Sequence, residues 1–320
     1  MSPAGVRGRV WVALVAVVTA GLCGVGVWAA WRVFVVGRTG RWLDQLAMDG
    51  AQHGRNRLWS YAERVLDPVS VTYGVVGLAV VVSIAVLRRR WWLGILGAVL
   101  LGGSVATTQV LKRVVLTRPA LDDGLAAANS LPSGHTTAAA ATSAALLFVV
   151  GARWRPLVAV LGAIYTVLTG WSTYVGHWHR PSDVLAAAAV VTGWSAVACL
   201  LLVPAPSAPG AAGPDVTTRR TTRWALGLLV VATLVSAVVL VLVGAALHGT
   251  PGGVRGATGH RAEILAYGGG VVATVGGVCA MVAVQLALRT AVSRARLGPL
   301  SAARRGAVAG ASADETAVRP

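Results

Sequence analysis

The chain of 320 residues is 56% hydrophobic and 12% charged, with a mean hydropathy of +0.70. A water-soluble domain of this length needs far more polar surface, so the composition excludes an ordinary cytosolic enzyme as well as the disordered and fibrous classes. The formal net charge of +17 would suggest nucleic acid in a soluble protein. Here the arginines stand in short clusters between apolar runs, as topology signals and anionic-lipid contacts do, so the lipid bilayer is the expected partner and no nucleic acid is expected.

A helix that crosses the hydrocarbon needs about 20 mostly apolar residues. Runs near that length occupy 10–36, 71–87, 91–111, 134–151, 157–175, 183–203, 224–247 and 264–288. They predict an all-α fold, a polytopic membrane helical bundle. The first run is too long for the apolar region of a secretory signal, although Trp28-Ala29-Ala30 offers small residues near its end; an uncleaved first helix is expected. Residues 37–70 mix Trp42, Leu43, Leu46, Trp59 and Tyr61 with charges at helical spacing. They read as an amphipathic helix at the interface, and as a connector rather than a lid.

Residues 204–223 are rich in Pro, Gly, Ser and Thr and read as a cytoplasmic linker. They divide a six-helix core, 1–203, from a two-helix appendix, 224–288, and residues 289–320 form an Arg/Ala/Gly tail expected to be disordered. Gly268 to Gly270 and Gly276-Gly277 in the eighth run lack a following Lys-Ser or Lys-Thr, which favours close helix packing over a nucleotide loop. Cys23, Cys199 and Cys279 each lie inside an apolar run without metal or disulfide spacing, and read as packing residues.

Arg7, Arg9, Arg88 to Arg90, Arg153, Arg155, Arg219, Arg220, Arg223 and the tail arginines fall on one side of this threading, in the shorter loops. That side is expected to be cytoplasmic, together with both termini. The opposite loops mix acidic and basic residues and are where chemistry is expected. The preference for Arg over Lys, with abundant Ala, Val and Gly, suggests a GC-rich bacterial genome and so a bacterial plasma membrane.

Three segments on the exterior side carry chemistry. Lys112 is the only lysine among 28 basic residues, and Arg118-Pro119 follows six positions later. Six residues rotate an ideal helix by about 240° net, so the two cations share a face only if the helix unwinds. Pro119 supplies the break by disfavouring the helical region for Arg118. Alone, such a pair reads as interfacial snorkelling.

Pro132-Ser133-Gly134-His135 begins the fourth run. Gly134 permits close backbone approach, the first-turn amides point outward and Ser133 adds a hydroxyl, which describes an anion site at a helix N-terminus beside a proton-transferring histidine. The plainer alternative is a serine-capped helix with a chance histidine. His179-Arg180-Pro181-Ser182-Asp183 precedes the sixth run. If helical, it lets the Asp183 carboxylate accept from one imidazole nitrogen of His179 and leave the other free to attack. The alternative is that Ser182 or Asp183 caps the helix.

Lys112-x6-Arg118-Pro119, Pro132-Ser133-Gly134-His135 and Ser172-x6-His179-x3-Asp183 together resemble the three-part signature of the type 2 phosphatidic acid phosphatase (PAP2) superfamily, which includes lipid phosphatases and the soluble vanadium haloperoxidases. The resemblance covers about residues 70–203. It implies a six-helix membrane core, His179 as the nucleophile, Asp183 as its orienting partner and His135 as the proton donor to the leaving oxygen. Lys112, Arg118, Ser133 and the Gly134 amide would hold the phosphoryl oxygens, with no metal and no cofactor.

In one place the chain departs from that signature: Thr173 stands where the family usually has a phosphate-gripping arginine. Loss of a preorganised donor costs about 3 to 4 kcal/mol, or 10² to 10³ in rate. Arg180 is the better candidate to fill the vacancy and Arg113 the weaker. His177, two residues before His179, lacks the spacing of a chelating pair and reads as a polar neighbour of the pocket. The expected function is a metal-independent membrane phosphatase acting on a lipid phosphomonoester or pyrophosphate at the outer leaflet through a phosphohistidine intermediate. The alternative is a degenerate relative that binds or moves lipid phosphates without hydrolysis.

Overall fold

The computed structural model describes residues 3–67, 71–120, 129–204, 214–250 and 252–297. Every element among them is helical. Helix α1 (Pro3–Ala30) runs into a π-helical turn, Trp31–Val36, and is followed by two short helices, α2 (Arg38–Gly50) and α3 (Arg55–Leu66). Then come α4 (Val71–Leu87), α5 (Trp91–Val110) with a π-helical turn at Leu111–Val115, α6 (Gly134–Val149), α7 (Arg155–Val175) and α8 (Pro181–Leu202). Helix α9 (Val216–His248), the single turn α10 (Gly253–Gly256) and α11 (His260–Leu297) complete the described chain.

Local sequence explains where these helices start. Ser133 caps α6, Pro156 and Pro181 occupy the first turns of α7 and α8, and the Asp215 side chain caps α9 by accepting from the Thr218 amide at 2.7 Å. Helices α1, α4, α5, α6 and α8 are apolar on every face, as spans surrounded by lipid and by one another must be.

Six described helical segments are long and apolar enough to cross a membrane: Gly5–Val36, Trp91–Val115, Ala152–Val175, Pro181–Leu202, Val216–His248 and His260–Arg296. This is the composition of a multi-pass membrane protein. The other two expected spans form helices that are shorter, α4 with 17 residues and α6 with 16. Helix α6 packs against α4, α5, α7, α8 and α11. It is walled by protein, so its length is not set by the bilayer.

The segment read as a linker ends earlier than expected, because residues 216–223 form the first turns of α9. Its part 205–213 lies outside the described residues. The expected disordered tail is likewise shorter: 289–297 continue α11, where Leu288 and Val292 are buried four residues apart in the main core cluster. Residues 298–320 lie outside the described residues.

Helix α11 lies against α1, α2, α7, α8 and α9. A Cβ at Gly270 would stand 2.6 Å from Cγ of Pro181, so α11 presses on the first turn of α8. The described part of segment 37–70 forms two helices, α2 and α3, instead of one. Helix α2 buries Arg41, Asp44, Gln45, Leu46, Ala47 and Met48 against the bundle, and its end at Gly50 touches Glu263 and Tyr267 of α11. A Cβ on Gly50 would collide with the Glu263 carbonyl and stand 2.8 Å from Cβ of Tyr267. Gly50→Ala is therefore expected to destabilise the docked α2 by about 1 to 3 kcal/mol, read as a lower Tm in detergent micelles; an unchanged Tm would show that this contact has slack.

Candidate active site

Helix α7 ends at Val175, and the chain reverses through Gly176 and His177, whose φ of 61° places a non-glycine residue in the left-handed region. The amides of Trp178 and His179 both donate to the Thr173 carbonyl, at 2.9 and 3.3 Å. Arg180 is extended and Pro181 starts α8.

His179 therefore precedes the helix instead of sharing it with Asp183. The link forms all the same, because Asp183 sits in the first turn of α8 and turns its carboxylate back over the cap. Its Oδ2 accepts from the Arg180 amide at 3.0 Å and is 3.0 Å from Nδ1 of His179. Both side chains are buried, His179 at 6% exposure and Asp183 at 1%. With Nδ1 committed to the carboxylate, Nε2 is the imidazole nitrogen left for chemistry. The capping and orienting readings of Asp183 are one geometry.

The start of α6 is brought to the start of α8 by a backbone bond, Ser133 N–H to the Asp183 carbonyl, at 3.0 Å. The Ser133 hydroxyl accepts from the Thr136 amide and hydroxyl, at 3.3 and 3.1 Å. It is a helix cap, and the proton of that hydroxyl is what it has left to donate. Among the described residues the group nearest a would-be Cβ at Gly134 is Nε2 of Gln109, at 3.7 Å, which leaves room for close approach to the backbone. The His135 ring lies 6.2 Å from that of His179, centroid to centroid, and 5.4 Å from that of Trp178.

The helix carrying Lys112 stops at Leu116, which is extended. The Asn129 amide nitrogen ties off this end, donating to the carbonyls of Leu116 at 2.7 Å, Leu131 at 2.9 Å and Lys112 at 3.4 Å. The unwinding expected before Arg118-Pro119 is present, a little earlier than proline alone requires. Lys112 lies within electrostatic reach of Asp183 and of His135. Arg118 is half-buried on the extended segment, and the next carbonyl, that of Pro119, accepts from Nη1 of Arg41 at 3.0 Å.

Arg180 is buried and its fork is already engaged. Nε and Nη2 donate to Oε1 of Gln45 at 3.1 and 2.6 Å, and Nη1 donates to the Ser130 hydroxyl at 3.2 Å. Thr173 turns into its own helix, its hydroxyl donating to the Gly170 carbonyl at 2.6 Å. Only its backbone serves the turn. Arg113 is exposed.

The sequence reading missed the contribution of α2. Besides Gln45, Asp44 accepts from the Ser182 amide at 3.1 Å and from the Ser182 hydroxyl, which binds α2 to the first turn of α8. The signal was present: Arg41, Asp44 and Gln45 stand at i, i+3 and i+4, a polar stripe on the same helix as Leu46 and Ala47. Asn129 and Ser130 had no such pattern. His177 faces the same cap, with Nδ1 2.6 Å from Nε2 of Gln52 and Nε2 4.0 Å from Oδ1 of Asp49. Burial lowers the His177 pKa, against the opposing pull of Asp49. Among the described residues no three His, Cys, Asp or Glu side chains gather as a metal ion would require.

The bundle thus brings together an oriented imidazole, a second histidine, a helix N-terminus and a lysine from three separate segments of the chain. Residues 91–208 match the family model of the PAP2 superfamily, whose members are in general phosphatases acting on phosphate esters. The match contains all three segments of the site. No curated protein and no solved structure matches the chain.

Burial, and then the nearby Asp183 charge, push the Asp44 carboxyl up from 3.8 to about 7, against the two Ser182 hydrogen bonds. A raised carboxyl pKa means that the folded protein holds a proton the unfolded chain has released. Stability from this group is full below pH 3.8 and is lost as pH rises to about 7. Asp44→Asn is expected to flatten that part of the stability profile between pH 4 and 7, measured by thermal unfolding across the range; an unaltered slope would show that Asp44 titrates normally.

Proposed function

We propose that this protein is an enzyme that hydrolyses a lipid phosphomonoester or pyrophosphate through a phosphohistidine. The observation that carries the reading is the Nδ1 to Oδ2 pairing of His179 and Asp183 with the His135 ring 6.2 Å away. A binding site needs cations; an oriented nucleophile and a second proton-transferring ring are of use only if a bond is broken.

Nε2 of His179 attacks phosphorus in line, and the bond from phosphorus to the leaving oxygen breaks as His135 donates its proton to that oxygen. Lys112, Arg118, the Ser133 hydroxyl, the Gly134 backbone and the remaining N–H groups of Arg180 hold the equatorial oxygens. Water then attacks the phosphohistidine, gives a proton to His135 and releases inorganic phosphate, returning His179 to its starting state. No step calls on a metal.

An amphiphilic substrate is supported by an apolar cavity of about 410 Å³ between α1, α5 and α8. Leu111, Val115 and Leu116, from the same turn as Lys112, line it together with Val27, Trp28 and Val190. Its potential polar handle is withdrawn, because Nε1 of Trp194 donates to Thr107 at 3.0 Å. A cavity of this size and character suits a hydrocarbon chain whose head group lies at Lys112. The degenerate, binding-only reading is favoured by one observation, the inward-turned Thr173.

Purified protein assayed with EDTA against phosphatidic acid, phosphatidylglycerol phosphate and polyprenyl pyrophosphate is expected to release phosphate. His179→Ala should abolish release, and Asp183→Asn should reduce kcat by about 10⁴-fold. Tight lipid binding with no release by the unaltered protein would favour the binding-only reading. The arginine distribution supports cytoplasmic termini in a bacterial plasma membrane with the site on the outer face. A cysteine at the exposed Arg57 position of α3 should then label in intact cells, and labelling only after permeabilisation would reverse the orientation.

A further inference from the structure

At the end of the bundle opposite His179, two arginines are buried with no acidic partner among the described residues. Arg289 of α11 is 2% exposed and Arg155, the first residue of α7, is 9% exposed. Both donate to a single hydroxyl, that of Ser293, at 2.8 and 2.9 Å. Two guanidinium groups are thereby held on one neutral oxygen. Among the described residues no carboxylate lies within ion-pair distance of either, and Nε of each has no hydrogen-bond partner.

The two are not equivalent. Arg289 also donates to the Phe148 carbonyl at 3.2 Å, at the electronegative end of α6, and its guanidinium stacks over the Phe148 ring. Arg155 has no such relief. It stands at the N-terminus of α7, where the helix dipole is positive, and Arg88 and Arg90 lie within electrostatic reach. A buried cation left in this state is costly unless an anion joins it.

Arg155 lines a pocket of about 30 Å³ whose other walls include Arg219, Arg294, Thr218, Thr222 and Ser293. The first turn of α9 forms one wall, adding a second positive helix end. Asp215 is the carboxylate that the described residues bring to this end of the bundle. It is exposed and caps Thr218. The volume exceeds the 10–15 Å³ or so that one water requires and admits a small group of heavy atoms.

We infer that this pocket binds a phosphate-class oxyanion, either free phosphate or the phosphate of a lipid head group, at a site separate from the one around His179. The guanidinium of Arg155 is the central ligand, Arg219 and Arg294 supply the rim, and the hydroxyls of Thr218, Thr222 and Ser293 complete the donor set. The site ties the N-termini of α7 and α9 to α11, so its occupancy is a clamp on the last two long helices.

The test is thermal unfolding of the full chain in detergent micelles, with sodium phosphate compared against sodium chloride at equal ionic strength. Phosphate at 100 times its Kd is expected to raise Tm by about 5 °C. The rise should persist in Lys112→Gln, which weakens the site at the other end, and in that background it should vanish with Arg155→Gln and shrink with the exposed-rim variant Arg219→Gln. A second arm uses nanodiscs of phosphatidylcholine with and without phosphatidic acid. Stabilisation by phosphatidic acid alone, lost in Arg155→Gln, assigns the anion to a head group; stabilisation in micelles by phosphate assigns it to the free ion. The inference is overturned if neither stabilises, if Arg155→Gln and Arg219→Gln retain the full shift, or if the shift disappears in Lys112→Gln. It is overturned too if Asp314→Asn with Glu315→Gln lowers Tm in chloride as much as phosphate raises it, since the tail would then be the counterion.

Discussion

The arrangement around His179 depends on one carboxylate. Asp183 takes the Arg180 amide, holds Nδ1 of His179 and, through its own main-chain carbonyl, receives the amide of Ser133. Charge-assisted bonds of this kind are roughly twice as strong as neutral ones, and burial leaves no water to compete for them. The same residue therefore begins α8, sets the imidazole and brings the start of α6 alongside. Orientation of the His179 ring is a by-product of how a helix begins.

Such a carboxylate is tolerable in a buried setting only if its surroundings are arranged to keep it, and α2 provides much of that arrangement. Asp44 fastens the amide and hydroxyl of Ser182, Gln45 fills the guanidinium fork of Arg180, and Arg41 reaches the Pro119 carbonyl. These contacts join three segments far apart in the chain. They also make the polar face of α2 an inward face, so its charged residues point where those of an ordinary surface helix would not. Helix α11 then backs the arrangement through Gly270 and Gly50.

Much of this was legible in the sequence. The apolar runs located the helices, because length and hydropathy are local properties, and the three motifs fell at helix ends, where caps and prolines mark themselves. The His179 to Asp183 contact was read at the right spacing for a reason that proved incomplete: a cap, not a shared helical face, supplies it. What stayed hidden was non-local. Nothing within residues 38–50 names Arg180 or Ser182 as partners, more than 130 positions away. Residues 216–223 and 289–297 are helical although the segments that contain them, rich in Ser/Thr and in Arg/Ala/Gly, read as linker and tail, because the Asp215 cap and the buried pair Leu288 and Val292 extend α9 and α11.

The shortness of α4 has a consequence for the surrounding lipid. Seventeen residues rise about 25 Å, against roughly 30 Å of hydrocarbon. Unlike α6, this helix turns Val75, Val76, Val80, Val82 and Val86 outward, so acyl chains meet the deficit directly. Along that flank the bilayer must thin or the helix must stand upright, at a cost of a fraction of a kcal/mol per ångström of mismatch. The described apolar length is thus unequal around the bundle, 17 residues in α4 against 33 in α9.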